Sequence, residues 1–240
     1  MSRSRQQRFE QSRHDPELVV LEGVHALKHA LRFGADVVEV CSPDPEGLGR
    51  LLAGLAPDVT VPVAVDHVNP EIWEVLTRGG LPSPALAIAT RPIVDLAGTV
   101  TPVTDRPVVL LDAPTHLGNV GAAVRVAAAA DAAALVVIGA ADPWHPRAVR
   151  AAAGLQFALP VARLDSLGPT HRPVVAMDAD GTQVTEVPRG AVFAFGSERR
   201  GLSPAVRAGA TLTVALPMRR GVSSLNLATA VAATLYGWGG

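Results

Sequence analysis

Three segments in the second half of the chain combine glycine with amide, hydroxyl and charged side chains. They read LDAPTHLGNVGAAVR (residues 111–125), FAFGSERRGLS (193–203) and LPMRRGVSSLN (216–226). Glycine lets the backbone come close to a ligand, the amide of Asn119 can donate and accept hydrogen bonds, and the guanidinium of Arg125 suits phosphate or carboxylate. Each segment follows an apolar run that predicts a buried strand, and ligands bind at the carboxyl ends of strands in open α/β sheets. The three segments therefore predict a binding site.

Each segment also has a purely structural interpretation. Asn119 can cap a helix beside a glycine, Glu198 can be the first-turn acid of a short helix, and Ser223 or Ser224 can be a helix N-cap. For a segment taken singly, the structural role is favoured. Three such segments in one sheet, each at the end of a strand, favour a functional site, and one of the two serines can still cap a helix within it.

The three segments lie in the second of two runs in which strands and helices alternate. Residues 17–97 predict a small α/β domain. Residues 107–240 alternate again with apolar strands that lack a polar face, which predicts a parallel sheet covered on both faces. A closing helix is expected to begin at Ser224, and residues 98–106 are predicted to be a linker.

The amino-terminal residues 1–16 form a basic arm, with arginine at positions 3, 5, 8 and 13 and few apolar residues. This composition predicts a mobile arm or a frayed helix that is solvated or touches phosphate. The arm lacks the apolar segment of a secretory signal. The most apolar window, 122–141, contains Arg125 and Asp131 and is too weakly apolar to span a membrane. We therefore expect a cytoplasmic protein with no membrane partner.

Composition and motif content argue against several functional classes. The formal net charge of −1 gives no support to nucleic-acid binding through bulk charge, so RNA affinity has to come from a local patch. Cys41 is the only cysteine, which excludes a disulfide framework and a cysteine-based metal site. His25 and His29 lack the glutamate of a zinc-protease helix, so no metal is expected. No dinucleotide-binding glycine motif follows a strand, and the P-loop and the serine-hydrolase elbow are also missing from the sequence.

In their order along the chain, the three segments resemble the motifs of the SpoU/TrmH group of SPOUT RNA 2′-O-methyltransferases. The N-x-G-x-x-x-R motif is matched by Asn119, Gly121 and Arg125. A strand running into G-S-E-x-x-G-L is matched at residues 196–202, and P-M followed by S-L-N is matched within 217–226. The resemblance covers residues 107–240. Residues 18–95 resemble, less closely, the small α/β substrate-binding domain that often precedes this fold.

The resemblance implies a deep trefoil knot in the C-terminal domain, an obligate homodimer, and S-adenosylmethionine as the methyl donor. The implied substrate is a ribose 2′-hydroxyl of structured RNA, and the extra amino-terminal domain favours ribosomal over transfer RNA. The implied catalytic residues are Asn119, Arg125, Glu198, Ser224 and Asn226. The implied cofactor-binding residues are Met177, Gly196, Glu198, Gly201, Leu216, Met218, Ser224 and Leu225, partly through their backbone.

Chemistry suggests a role for each group. Arg125 is expected to bind a neighbouring phosphate and to stabilise charge on the ribose oxygen, because a guanidinium stays protonated and is a poor base. Glu198 is expected to fix Arg125 through a charge-assisted pair, while the two motif asparagines orient Arg125 or the ribose. Arg147 and Arg150 share one helical face and are the predicted RNA-binding residues, with ordinary surface charge as the alternative.

The chain departs from the family pattern in three places, and these leave the finer substrate contacts open. His116-Leu117-Gly118 stands where the family often has Asp-Pro-Gly, Arg199 follows the motif glutamate where glycine is common, and Ala152 replaces a serine. Two other functions also remain open at this point. One is an inactive SPOUT-fold protein that acts as an RNA-binding or assembly factor, and the other is a related SPOUT enzyme acting on a base or on a non-RNA substrate.

Overall fold

The computed structural model describes residues 2–81, 83–95, 98, 100, 104–168 and 170–238. These residues divide into two compact units, the first made of residues 1–93 and 144–158 and the second of 94–143 and 159–240. The linker predicted at 98–106 falls partly outside the described residues, at positions 99 and 101–103. All three polar segments belong to the second unit.

Strands and helices alternate in the first unit, as predicted. Its elements are α1 (Ser2–Ser12), β1 (Leu18–Glu22), α2 (Val24–Arg32), β2 (Val37–Ser42), α3 (Pro45–Leu55), β3 (Val65–His67), α4 (Pro70–Thr77) and β4 (Leu86–Thr90). The four strands form a mixed sheet in the order β1-β4-β2-β3. Strand β4 runs antiparallel to β1 and β2, while β2 and β3 are parallel. Asp44 and Asn69 cap α3 and α4 through their side chains.

Helix α1 packs onto the core of the first unit. Phe9 is fully buried in an apolar cluster that includes Val20 and Leu76. The helix is also held by charge, because Nε of Arg5 lies 3.1 Å from Oε1 of Glu39 on β2. The expectation of a mobile arm or frayed helix is therefore wrong for this part of the chain, since a buried aromatic side chain and a long-range ion pair fix it in place.

Residues 144–158 pack with the first unit, although their sequence lies inside the domain predicted at 107–240. This segment contains α6 (Pro146–Ala151), which contacts β1, and a 3₁₀ helix (Leu155–Phe157), which contacts α2. A Cβ at Gly154 would lie 2.4 Å from the carbonyl oxygen of Ala26, so this close approach requires glycine. The boundary predicted at residue 107 thus misplaces this segment, because its apolar partners lie in β1 and α2 and not in its neighbours along the chain.

The second unit contains the predicted parallel sheet. Its elements are β5 (Val108–Asp112), α5 (Leu117–Ala129), β6 (Ala134–Ile138), β7 (Val161–Leu164), β8 (Val174–Thr182), β9 (Val192–Phe195), α7 (Pro204–Ala208), β10 (Leu212–Val214) and α8 (Leu227–Trp238). The strand order is β10-β8-β9-β5-β6-β7, and every pair is parallel. All residues of β5 and β9 are buried, as expected for central strands of a covered parallel sheet.

The topology brings the three polar segments to one edge of the sheet. All strands of this sheet run in the same direction, so the loops that follow β5, β9 and β10 emerge at the same carboxyl edge. Within the residues described, no helix is both long enough and apolar enough to cross a bilayer.

Candidate active site

A cavity of about 580 Å³ opens at the carboxyl edge of the second unit's sheet. Its walls come from the loops after β5, β9 and β10, from the middle of β8 and from the start of α8. The cavity brings together most of the predicted site residues: Asn119, Met177, Gly196, Glu198, Gly201, Leu216, Met218, Ser224, Leu225 and Asn226. Arg125 does not line it.

A chain of hydrogen bonds connects the polar side chains of the cavity. Oε2 of Glu198 accepts from Thr115 twice, from the hydroxyl at 2.7 Å and from the backbone N–H at 3.1 Å. Oε1 of Glu198 accepts from Nδ2 of Asn119 at 2.8 Å, and Oδ1 of Asn119 accepts from Nδ2 of Asn226 at 3.0 Å. The chain therefore ties the loop after β5, helix α5, the loop after β9 and the start of α8 to one another.

This arrangement keeps Glu198 negatively charged. Partial burial alone would raise the pKa of its carboxyl group, but the hydrogen bonds from Asn119 and Thr115 outweigh that effect and lower the pKa from 4.5 to about 2. A carboxylate with so low a pKa is a weak base at neutral pH. Its evident use is to hold the donors around it in fixed positions.

Arg125 lies on the exposed side of α5 and, unlike Glu198, does not line the cavity. No hydrogen bond or ion pair joins its side chain to any residue in the described part of the chain. The expected Glu198–Arg125 pair is therefore wrong, and the carboxylate accepts from Asn119 and Thr115 instead. The physical reason is helical geometry: residues six apart on an α-helix point roughly 120° from each other, so Asn119 and Arg125 face different directions.

Helix α8 begins at Leu227, and Asn226 caps it. Oδ1 of Asn226 accepts from the backbone N–H groups of Ala228 at 3.0 Å and Thr229 at 3.4 Å. The expectations that the helix begins at Ser224 and that a serine caps it are wrong. Because the amide oxygen of Asn226 serves the helix, its Nδ2 is free to point at Asn119.

The loop after β9 is a tight turn that presents Glu198 to the cavity. Ser197 and Gly201 exchange two backbone hydrogen bonds of 3.0 Å each, which close the turn. A Cβ at Gly196 would lie 2.0 Å from the carbonyl carbon of Gly201, so no larger residue fits at that position. The glycines of this motif thus serve the shape of the turn that carries the carboxylate.

Sequence reasoning missed two features of the cavity. Thr115 holds Glu198, but nothing in its type or spacing distinguishes it from an ordinary loop threonine. Asp178 and Arg207 form an ion pair on the cavity wall, with Oδ2 and Nη2 2.5 Å apart. In the residues that the structure describes, no group of three or more His, Cys, Asp or Glu side chains is placed to hold a metal ion.

The predicted RNA-binding residues Arg147 and Arg150 lie in α6, within the first unit. Both are exposed and separated by one helical turn. Nη1 of Arg150 lies 3.2 Å from Oε2 of Glu22, whose other oxygen lies 3.3 Å from the buried Arg13. The charge of Arg150 is therefore partly compensated within its own unit.

The second unit carries a family signature that matches its geometry. The model of the SpoU rRNA Methylase family matches residues 106–236, which is more than half of the chain. The chain belongs to this family. The matched residues include the loops after β5, β9 and β10, together with α8 as far as residue 236, so the cavity described above is formed from the family's region.

Similar proteins extend the match over most of the chain. A 23S rRNA (uridine(2479)-2′-O)-methyltransferase of Streptomyces viridochromogenes is 40% identical over 144 residues, which are 53% of this chain and 50% of that protein. A 23S rRNA (guanosine(2553)-2′-O)-methyltransferase of Bacillus subtilis is 27% identical, covering 90% of this chain and 86% of that protein. The crystal structure of the SpoU methyltransferase AviRb from S. viridochromogenes, in complex with AdoMet, has a TM-score of 0.80 and 28% identity over 96% of both chains.

Proposed function

We propose that the protein transfers a methyl group from S-adenosylmethionine to a ribose 2′-hydroxyl of ribosomal RNA. The observation that carries the proposal is the convergence of the three family motifs on one cavity, where Asn119, Glu198 and Asn226 are hydrogen-bonded in a chain. The relatives from S. viridochromogenes and B. subtilis are named for 2′-O-methylation of 23S rRNA. Their names support ribosomal over transfer RNA as the substrate.

The residues of the cavity fit the methyl donor. A volume of about 580 Å³ is within the usual range for a small-molecule site, roughly 300–1,000 Å³. Apolar side chains of Met177, Leu216, Met218 and Leu225 suit the adenine ring, and the glycine-bearing turn at 196–201 offers backbone groups at close range. When bound, S-adenosylmethionine supplies an electrophilic methyl carbon. Holding it and the ribose in line is the largest contribution the protein makes.

The chain's own polar groups position the ribose. Asn119 and Asn226 each use one amide N–H in the hydrogen-bond chain, and the second N–H of each remains available to a ligand. Ser224 lines the same cavity and offers a hydroxyl group. Glu198 fixes these donors and, with its pKa of about 2, does not take the 2′-hydroxyl proton. We assign proton removal to a neighbouring phosphate or a water molecule.

Arg125 keeps a role in binding the substrate. Its side chain is exposed and has no partner among the described residues, so the guanidinium is available to a phosphate of the RNA. Arg147 in the first unit is similarly exposed and stays a candidate for the same chemistry. Neither residue is needed to hold Glu198, so their variants separate RNA binding from the geometry of the cavity.

Transfer of a labelled methyl group to unmodified ribosomal and transfer RNA pools tests the proposed reaction. The Arg125→Ala variant runs beside the wild type, and partial alkaline hydrolysis of the product follows. We expect label in ribosomal RNA, less label with the variant, and one gap in the hydrolysis ladder at the 2′-O-methylated nucleotide. Cofactor binding without label in any RNA pool would contradict the proposal that ribosomal RNA is the substrate. The absence of cofactor binding would favour an inactive RNA-binding or assembly factor.

We also propose that the protein is a homodimer. Helix α8 packs on α5, and its exposed positions carry threonine, alanine, glycine and Tyr236, which is 69% exposed. Val222 and Leu225 add exposed apolar surface just before α8, at 47% and 41%. The exposed surface of α8 is uncharged, which is typical of the core of a subunit interface. Sedimentation at several concentrations tests the proposal: a Tyr236→Asp variant is expected to dissociate, and a wild-type monomer would refute it.

Three finer expectations complete the proposal. The chain after β10 forms part of the cavity wall and continues into α8, which packs on α5. This path supports a trefoil knot in the second unit. We assign recognition of the folded RNA to the amino-terminal α/β unit. We place the protein in the cytoplasm, where ribosomal RNA is made in bacteria, the source of the relatives described above.

A further inference from the structure

The loops after β9 and β10, which both contribute to the cavity wall, carry four arginines that belong to none of the motif positions. They are Arg199 and Arg200 in the loop after β9, and Arg219 and Arg220 in the loop after β10. We call this set the arginine rim. All four side chains are exposed, and the two loops that hold them contain a single acidic residue, Glu198.

Each pair of the arginine rim is held at the tip of a tight turn. Arg199 and Arg200 follow Glu198 inside the turn that Ser197 and Gly201 close with two backbone hydrogen bonds. Arg219 and Arg220 begin a second turn, in which the N–H of Val222 donates to the carbonyl of Arg219 at 3.0 Å and Gly221 takes φ +90°. The turns fix the backbone on which the four side chains project.

The charges of the arginine rim are not paired with any acidic side chain among the described residues. Within the part of the chain that the structure describes, no hydrogen bond or ion pair involves the guanidinium group of any of the four, and Arg200 bonds to Oγ of Ser197 only through its backbone N–H. Other arginines differ in this respect: Arg207 is paired with Asp178 on the cavity wall, and Arg150 is paired with Glu22. The only acidic group in the two loops already accepts from Thr115 and Asn119. The rim is thus an uncompensated positive patch at the site.

The methyl donor does not account for so much positive charge. S-adenosylmethionine carries a sulfonium, an ammonium and one carboxylate, so its net charge is positive and four unpaired guanidinium groups repel it overall. A ribose in RNA, in contrast, has a phosphate on its 3′ side and another on its 5′ side. Guanidinium groups bind phosphate oxygens through forked, charge-assisted hydrogen bonds.

We propose that the arginine rim binds the RNA phosphates that flank the target ribose. This inference rests on the proposed reaction and deepens it, because it names the groups that seat the substrate at the cavity. The contacts are to the backbone and carry no sequence information, so they set the position of the ribose and leave the choice of nucleotide to other contacts. The principal RNA contacts at the site therefore lie in the second unit, beyond the Arg147 and Arg150 predicted from the sequence.

The test compares two double variants that remove the same charge. The rim variant is Arg219→Ala with Arg220→Ala. The matched control is Arg163→Ala with Arg189→Ala, which removes two exposed arginines of the same unit: Arg163 on the edge strand β7 and Arg189 before the amino end of β9. For each protein, RNA binding is measured by filter binding to unmodified ribosomal RNA between 50 and 200 mM salt, and S-adenosylmethionine binding is measured by calorimetry.

Loss of two phosphate contacts makes the slope of log K against log salt less negative by about two. The ratio of the wild-type affinity to that of the rim variant therefore falls by about 10-fold between 50 and 200 mM salt. We expect this for the rim variant and a slope near that of the wild type for the control, with equal cofactor affinity in all three. Equal slopes for rim variant and control would overturn the inference. If the wild type methylated no RNA, the proposed function would fail instead, so the two failures are distinguishable.

Discussion

Replacing Thr115 by valine tests whether the hydrogen-bond chain sets the geometry of the site. Valine keeps the shape of threonine and its backbone N–H, and it removes only the hydroxyl that donates to Glu198 at 2.7 Å. A hydrogen bond to a charged group contributes about 1.5–3 kcal/mol when shielded from water. Because Glu198 is exposed, solvent screening reduces the contribution of this hydrogen bond to about 1 kcal/mol.

This loss has two measurable consequences. A weaker hold on the carboxylate raises the pKa of Glu198 from about 2 by about 0.7 pH units, at 1.36 kcal/mol per unit. It also lets Asn119 and Asn226 drift from their positions, and 1 kcal/mol lost from the transition state lowers kcat about fivefold. The carboxyl pKa is measured by ¹³C NMR titration of labelled protein, and kcat is measured by methyl transfer at saturating cofactor and RNA.

The Thr115→Ser variant is the matched control, because serine restores the hydroxyl group without the methyl group. We expect its pKa and kcat to return towards the wild-type values, while thermal unfolding shows that all three proteins are folded. A valine variant with unchanged pKa and unchanged kcat would refute the reasoning, as would a serine variant that behaves like valine.

Three further predictions concern stability. Phe9→Ala should cost about 3–5 kcal/mol in urea unfolding because the ring is fully buried, whereas a mobile arm would leave stability unchanged. Thr234→Val should leave the free energy of unfolding unchanged or raise it by about 1 kcal/mol, because the buried hydroxyl has no hydrogen-bond partner among the described residues; a loss above about 1 kcal/mol would contradict this. Acid should destabilise the wild type more than a Glu198→Gln variant. A carboxyl group with a lowered pKa stabilises the fold above about pH 4.5 and loses that contribution, here about 1–2 kcal/mol after solvent screening, as the pH falls towards 2. Equal acid unfolding of the two proteins would contradict the prediction.

The sequence predicted the sheet edge at which the site lies, because that follows from local patterns. Apolar strands without alternation indicate a parallel sheet, and polar loops after such strands meet at its carboxyl edge. The partner of Glu198 was not predictable in the same way. Choosing between Arg125 and Asn119 depends on how α5 is rotated about its axis, and this rotation is set by packing against α8.

Two other differences between expectation and structure have the same non-local origin. Helix α1 has the polar sequence SRSRQQRFEQS, and the single buried Phe9 gives no periodic apolar pattern. Glu39, which forms an ion pair with Arg5 of this helix, is 34 residues away along the chain. Helix α6 likewise has the same local pattern whichever unit it packs against, so its place beside β1 appears only in three dimensions.

The placement of residues 144–158 also constrains how the chain can be made and divided. The first unit cannot complete its packing during synthesis until these residues have emerged, and the first of them lies 51 positions after residue 93. A fragment that begins at residue 107 would carry this segment without β1 and α2, and would expose Val149 and Gln156 to water, although both are buried in the whole chain. The two units are therefore interleaved along the sequence, and neither can be exchanged between proteins by a single cut.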